Sequence, residues 1–363
     1  MKTFKELLKE GGNVVIGDRE AERIDLKKIS RDEVVPVIRQ GLKIISDTFE
    51  KDYGFPIWDD ELFKSNKYLS GSAFHFFDMA IPSSIFISKK PSVGDIDTQV
   101  DILIYPQIKE FLDKSEGKIF GPLTLIGHKV SSGQLISLWE LQPFNTAIQI
   151  DLEFVDFANG KPTDWAQFSH SSAWVDVNKG IKGVAHKFLM QSLHADKKEP
   201  IIILTGKKRT PKETDKTKLA FSVQKGLRVR YIPHLVDGVQ QVIDGKPVYD
   251  ELESKDSVFI TELKTIFTMF FDKEPSATEL EDMNSFSGAV QLVKRLKSHA
   301  EAIEVYEDFF DRFFGKGAQK IVRGNNEKDL EEKFPGVAMM ASELGLDINK
   351  YTPRITKYYQ ESK

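Results

Sequence analysis

The chain contains no cysteine. Disulfides, thiol nucleophiles and cysteine-bearing zinc sites are therefore excluded together. A cysteine-free composition fits a reducing compartment, and a cytoplasmic location is expected. Histidine is sparse, and the copies at 75, 128, 170, 186, 194, 234 and 299 show neither an HExxH pattern nor zinc-ligand spacing. No apolar run approaches the roughly 18 residues of a membrane helix, so no membrane partner is expected. The opening stretch MKTFKELLKEGGN lacks the apolar centre of an export signal. LTGKKRTPK lacks the GxxxxGK[ST] frame of a phosphate-binding loop. Internal repeats and low-complexity tracts are missing too. What is present is a globular composition, 40% hydrophobic and 29% charged, over 363 residues. That length suits two or three domains. Phe outnumbers Tyr by 26 to 9, which predicts an aromatic-rich core.

The net charge of −4 conceals an asymmetry. Lys179 to Arg230 holds fourteen Lys and Arg against four acids, a net of +10 that leaves −14 for the rest of the chain. Such a split suggests an anionic partner for the middle of the chain. KKRTPKETDKTK (207–218) within it also reads as a flexible, solvated loop.

Periodicity predicts the organisation. RDEVVPVIRQGLKIISDTFEKD (31–52) places Val34, Ile38, Leu42 and Ile45 on one helix face, with Pro36 expected in the tolerant first turn. A short helix is expected at about 58–66, a strand or turn at Lys67–Leu69, an alternating strand at 95–104, and a helix at 106–117 ended by Gly117. PLTLIGHKV, GQLISLWELQ and NTAIQIDLEFVDF, separated by turn residues, predict an antiparallel meander. A helix over 178–194, an apolar strand PIIILTG and a strand FSVQKGLRVRY follow. From Ser257 the pattern is helical almost to the end. Composition breaks at ANGKPTDW (158–165) and DELESKD (250–256) suggest domains of 1–160, 161–253 and 254–363. The fold class expected is α+β, with a mostly helical C-terminal domain.

The stretch KKPSVGDIDTQVDI (89–102) carries the main chemical signal. On a strand, Asp95, Asp97 and Gln99 face one way, while Ile96, Thr98, Val100 and Ile102 face the other. Two carboxylates about 7 Å apart on one face raise each other's pKa when left alone. A divalent cation with hard oxygen ligands, Mg²⁺ or Mn²⁺, removes that penalty. A third acid is needed from a neighbouring strand. AIQIDLEFVDF supplies it: Ile148, Ile150, Leu152 and Phe154 form an apolar face, and Gln149, Asp151 and Glu153 the other. Asp151 is the first candidate and Glu153 the reserve. Upstream, KYLSGSAFHFFDMA puts Gly71 and Ser72 at a strand-to-helix turn, where backbone N–H groups and the hydroxyl can meet a phosphate. A plain helix cap would use the same residues.

The ordered set LSGS (69–72), GDIDTQV (94–100) and QIDLEF (149–154) resembles the DNA polymerase β-like nucleotidyltransferase superfamily, whose pattern is hG[GS], Dh[DE]h and h[DE]h. The resemblance covers about 67–155. It implies a small mixed sheet with flanking helices and transfer of a nucleoside monophosphate from a nucleoside triphosphate, releasing pyrophosphate. Asp95 and Asp97 would bind Mg²⁺ or Mn²⁺, Asp151 would help activate the acceptor hydroxyl, and Gly71 and Ser72 would hold the β and γ phosphates. The interval from Ser72 to Asp95 is longer than in minimal members, so PSSIFISKKPSVG is expected as an added strand or loop beside the site. Length and helical tail resemble larger members such as tRNA nucleotidyltransferases and poly(A) polymerases, without the base-selecting signature of the tRNA-terminal enzymes. The overall style is also similar to bacteriophage-encoded members.

Other residues join as candidate contacts. FSHSSAW offers Ser169, Ser171 and Ser172, and the following helix offers Lys179, Lys182, His186 and Lys187 to a triphosphate, with Lys187 preferred and Lys182 second. Each lysine taken alone reads first as the wet face of an amphipathic helix. Lys225, Arg228 and Arg230 in KGLRVRY, with Tyr231, suit a polynucleotide backbone or a strand with a basic outer face. His75 and the Phe309, Phe310, Phe313 and Phe314 stripe read as core. The acceptor expected is an RNA end. A protein or small-molecule hydroxyl, or a non-catalytic nucleic-acid-binding role, are the alternatives.

Overall fold

The structure is a computed structural model describing residues 14–131, 134–170, 173–178, 183–195, 200–205, 210–215, 219–222, 226–253, 256, 258–313, 341, 345 and 346. Helices and strands mix throughout, and the chain divides after Gly180 into two compact units.

The first unit is organised by helix Arg31–Tyr53. Asp32 and Glu33 sit in its first turn and Lys51 in its last, matching the helix dipole, and Gly54 caps it at φ 84°. Val34, Val35, Ile38, Leu42, Ile45 and Phe49 are buried along one face. Gly41 belongs to that face because an added Cβ would come within 2.4 Å of Leu123 Cδ1. The helix begins early enough that Pro36 lies in the second turn rather than the first. There its ring nitrogen cannot donate to the Asp32 carbonyl, yet the amphipathic stripe carries the helix through.

The apolar face of the helix packs on a mixed five-stranded sheet, in the order Asp95–Asp101, Thr146–Val155, Gln134–Leu141, Leu123–Ser131, Ile119–Phe120. The last four strands run antiparallel as the meander predicted. Strand Asp95–Asp101 pairs parallel with Thr146–Val155. Its outer edge is partly closed by the segment before helix Gly71–Phe77: Leu69 bridges Thr98, Ser70 N–H donates to the Asp97 carbonyl (3.1 Å) and Gln99 N–H to that of Tyr68 (2.7 Å). Ile96, Val100, Ile148, Ile150, Leu152 and Phe154 join the helix in one apolar core. The insertion expected as a strand or loop is helix Ser83–Lys89, followed by a two-residue strand Ser92–Val93 paired with Ile24–Asp25.

One buried charge holds the segment that leads into this sheet. Arg31 is fully buried, and its guanidinium donates to four carbonyls: Phe76 (2.9 Å), His75 (3.0 Å), Asp78 (2.6 Å) and Ile81 (2.5 Å). It also lies over the Phe86 ring, 4.8 Å from the centroid. Three of these acceptors are at the C-terminal end of helix Gly71–Phe77, where carbonyls lack intrahelical partners. His75 is buried as expected, against Phe74 and Trp174.

In the second unit, Pro200–Thr205 runs parallel to Lys246–Glu251 and antiparallel to Thr210–Asp215. The segment expected as a flexible loop over 207–218 therefore contains a strand. FSVQKGLRVRY is not one strand but two, Leu219–Ser222 and Gly226–Val229, paired with each other. Val258–Ile260 adds a third strand to them, so the region after Ser257 starts extended before its helices. Those helices are Leu263–Phe271, Ala277–Met283, Phe286–Leu296 and His299–Arg312, the second and last opened by capping boxes at Ser276 and Ser298. Phe309, Phe310 and Phe313 are core residues; Phe314 lies outside the described residues. No described helix is long and apolar enough to cross a membrane.

Replacing Arg31 by Lys keeps the charge but cannot serve four carbonyls at once. We expect a loss of about 2 kcal/mol or more of unfolding free energy, and a larger loss for Arg31→Met, read from denaturant midpoints. An unchanged midpoint would show that the carbonyls are solvated equally well without it.

Candidate metal centre

Parallel pairing puts Asp97 directly opposite Asp151, Asp95 opposite Gln149 and Gln99 opposite Glu153. The acidic side chains thus share one sheet face, across from the apolar core. One carboxylate oxygen each from Asp95, Asp97 and Asp151 lies within 4.8 Å of the other two. Lys90 acts on Asp97 and Lys129 on Asp151 through their charge. The group can hold a metal ion, since three converging carboxylates match the hard-oxygen donor set of such a site.

The surroundings are built from neutral donors. Gln149 Nε2 donates to both Asp151 oxygens, at 2.9 and 3.0 Å, and its own Oε1 accepts from the Val14 N–H at 3.0 Å. Thr98 Oγ1 donates to the Asp151 carbonyl (3.0 Å). Glu153, the reserve acid, is occupied: Ser70 Oγ (2.8 Å) and Gln134 Nε2 (3.0 Å) donate to it, and His170 Nε2 lies 3.8 Å away. This engagement separates it from the trio.

Burial and mutual repulsion show in the proton affinities. Burial, then the charges of Asp95, Glu153 and Asp151, hold Asp97 well above the ordinary carboxylate range, with Lys90 pulling the other way. Asp151 is pushed up to about 7, chiefly by burial. The Gln149 hydrogen bond lowers it, Asp95 and Glu153 raise it, and Lys129 lowers it. A bound divalent cation would favour the charged forms of both.

Gly71 closes one wall. It sits at φ +53°, and a Cβ there would fall 2.9 Å from Asp97 Oδ2. The residue must be glycine for conformation and for space. Ser72 is half-buried beside it, and the Lys90 ammonium donates to its hydroxyl. Lys90 and Gln149 were not among the sequence candidates. Lys90 had a signal in retrospect, a lysine five residues before Asp95 in the inserted segment, but its place depends on how helix Ser83–Lys89 turns back.

The remaining candidates lie on other elements or outside the described residues. Lys187 is half-buried on helix Gly183–Ala195 of the second unit, where His186 is buried with Nε2 2.8 Å from the Met283 carbonyl. Arg228 lies on strand Gly226–Val229, and Arg230 follows it, 3.6 Å from Glu251 and over the Tyr231 ring. Tyr231 is buried with Ile201, Ile203 and Tyr249, so it cannot serve as a stacking platform. Ser169 is buried and engaged with the Ala166 carbonyl and His170. Ser171, Ser172, Lys179, Lys182 and Lys225 lie outside the described residues. A comparison with family models finds no match, and no curated protein searched matches the chain.

Because Asp97 and Asp151 bind protons more tightly folded than unfolded, they weaken the fold as pH rises from about 4 through about 7. In EDTA, lowering the pH from about 8 to about 5.5 should recover on the order of 2 kcal/mol that Asp151→Asn already has at pH 8. Mg²⁺ or Mn²⁺ should raise the wild-type melting temperature at pH 8 and leave that of Asp97→Asn unmoved. Identical pH profiles for wild type and Asp151→Asn would place the carboxylates in a purely structural role.

Proposed function

We propose that the chain is a metal-dependent nucleotidyltransferase with a nucleotidyltransferase-type catalytic unit. The observation that carries this reading is the convergence of Asp95, Asp97 and Asp151 from two parallel strands, against a glycine that only fits because it has no side chain. A binding module has little use for three converging acids whose mutual repulsion Lys90 and Lys129 offset only in part.

In this reading Asp95 and Asp97 hold Mg²⁺ or Mn²⁺. When bound, such ions neutralise charge on the triphosphate and acidify the acceptor hydroxyl. Asp151 takes the hydroxyl proton, a role open to it because a bound divalent cation favours its ionised form. Gln149 fixes the orientation of that carboxylate through both oxygens. The acceptor oxygen forms a bond to the α-phosphorus as the α–β bridging bond breaks, and pyrophosphate leaves. Gly71, Ser72 and Lys90 offer a backbone N–H, a hydroxyl and an ammonium to the β and γ phosphates. The strongly basic stretch from Lys179 to Arg230 favours a polymeric anion, an RNA end, as acceptor. Lys182, Lys187 and Ser171 would approach the triphosphate, and Lys225, Arg228 and Arg230 the acceptor.

The full chain should be incubated with each α-labelled nucleoside triphosphate, Mg²⁺ or Mn²⁺, and total RNA or lysate. Label in RNA is expected, and label in protein or metabolite would redirect the acceptor. Asp95→Ala and Asp97→Ala should drop incorporation to background while melting no lower than wild type. Retained incorporation in either variant, or gross unfolding of both, would remove the acids from the chemistry.

A further inference from the structure

A cavity in the first unit, of about 570 Å³, opens between helix Arg31–Tyr53 and helix Asp60–Ser65. Its volume is that of a small-ligand site. Arg39, Lys43 and Lys64 line it against a single acid, Asp60. Lys43 is spoken for, with ion pairs to Asp47 and to Asp60 (3.1 Å). Arg39 is not: among the described residues no carboxylate pairs with it. Its guanidinium is nevertheless held in place. Nη2 donates to Asn66 Oδ1 (2.7 Å) and the Phe77 carbonyl (3.3 Å), and the group lies 5.8 Å from the Phe77 ring centroid. Its Nε–H is buried with no acceptor. The Tyr68 hydroxyl, also buried, has no partner either, and lies within electrostatic reach of Arg39. Lys64 stands exposed at the rim, without an ion pair among the described residues. Val35 and the 44%-exposed Met79 supply an apolar, adaptable wall.

We propose that this cavity binds an organic phosphate of mononucleotide size, its phosphoryl oxygens on Arg39 and Lys64 and its body against Val35 and Met79. The unbalanced positive charge calls for a dianion, and the fork of an arginine suits phosphoryl oxygens. The site is separate from the acids. Arg39 touches Phe77, the last residue of helix Gly71–Phe77, whereas Asp97 meets Gly71, the first. The inference does not depend on the proposed transfer reaction.

Calorimetric titration of the full chain in EDTA with adenosine 5′-monophosphate tests it, with adenosine and inorganic phosphate as separate arms. The monophosphate should bind, phosphate should bind more weakly through the same residues, and adenosine should give no heat. Lys64→Gln should weaken the monophosphate by about threefold and Arg39→Lys by about tenfold or more, while Asp97→Asn leaves its affinity unchanged. Lys64 is exposed, so Lys64→Gln and Lys64→Glu decide the matter should Arg39→Lys fold poorly. No heat with the monophosphate up to about 10 mM, equal affinity for adenosine, or loss of binding in Asp97→Asn would each overturn the proposal.

Discussion

The structure of the first unit turns on one register, Asp97 opposite Asp151 in a parallel strand pair. That pairing forces like charges together, which costs free energy in proportion to their burial. The opposite face of the same strands offsets it. Ile96, Val100, Ile148, Ile150, Leu152 and Phe154 are all buried there, and at about 2 kcal/mol each they contribute an upper bound of roughly 12 kcal/mol. A shift by one residue would exchange the two sets, taking the acids into the apolar core and those side chains out of it. The apolar pattern therefore fixes the register, and the acids ride on it. The carboxylates need not stabilise anything to be held where they are.

A second constraint reaches the site from behind. Arg31, fully buried, is hydrogen-bonded to the carbonyls that end helix Gly71–Phe77. Burial lowers its pKa, while Asp32 and Asp78 raise it. A guanidinium in this position does for the helix end what a C-terminal cap does elsewhere, adding favourable charge at the negative pole of the dipole. The start of the same helix is set by Ser70, whose N–H bonds to the Asp97 carbonyl and whose hydroxyl bonds to Glu153. The wall at Gly71 is thus pinned at both ends, and its approach to Asp97 follows from backbone geometry rather than from attraction to the acid.

Much of this was legible in the sequence because it rests on period and local chemistry. The alternation around Asp95 and Asp151, the meander, and the stripe of helix Arg31–Tyr53 are period-2 and period-3.6 patterns. What escaped depends on distant partners. Arg31 reads as an ordinary polar residue at a helix start; only the folded chain brings it to carbonyls more than forty positions away. The strand Thr210–Asp215 was not legible because its polar, charged residues pair with the apolar strand Pro200–Thr205 at a sheet edge, where composition gives no strand signal. Splitting of FSVQKGLRVRY follows from Gly226 at φ +102°, where an added Cβ would meet the Ile260 carbonyl oxygen at 2.3 Å. The pairing with Val258–Ile260 that makes this glycine necessary is invisible locally.

Whether the acids act on a ligand or only tolerate one another is decided by how their partners are distributed. A structural cluster of carboxylates is ordinarily neutralised by arginine or lysine, since an uncompensated buried charge is expensive. Here the donors placed on the acids are amides and hydroxyls: Gln149 on Asp151, and Ser70 and Gln134 on Glu153. Such groups orient a carboxylate without cancelling its charge. Lys90 pulls the pKa of Asp97 down and Lys129 that of Asp151, and the Lys90 ammonium also donates to the Ser72 hydroxyl. The carboxylates are thus oriented by neutral donors while their charge is offset only in part. That leaves a donor set able to hold a metal ion, which is the property the proposed transfer chemistry requires.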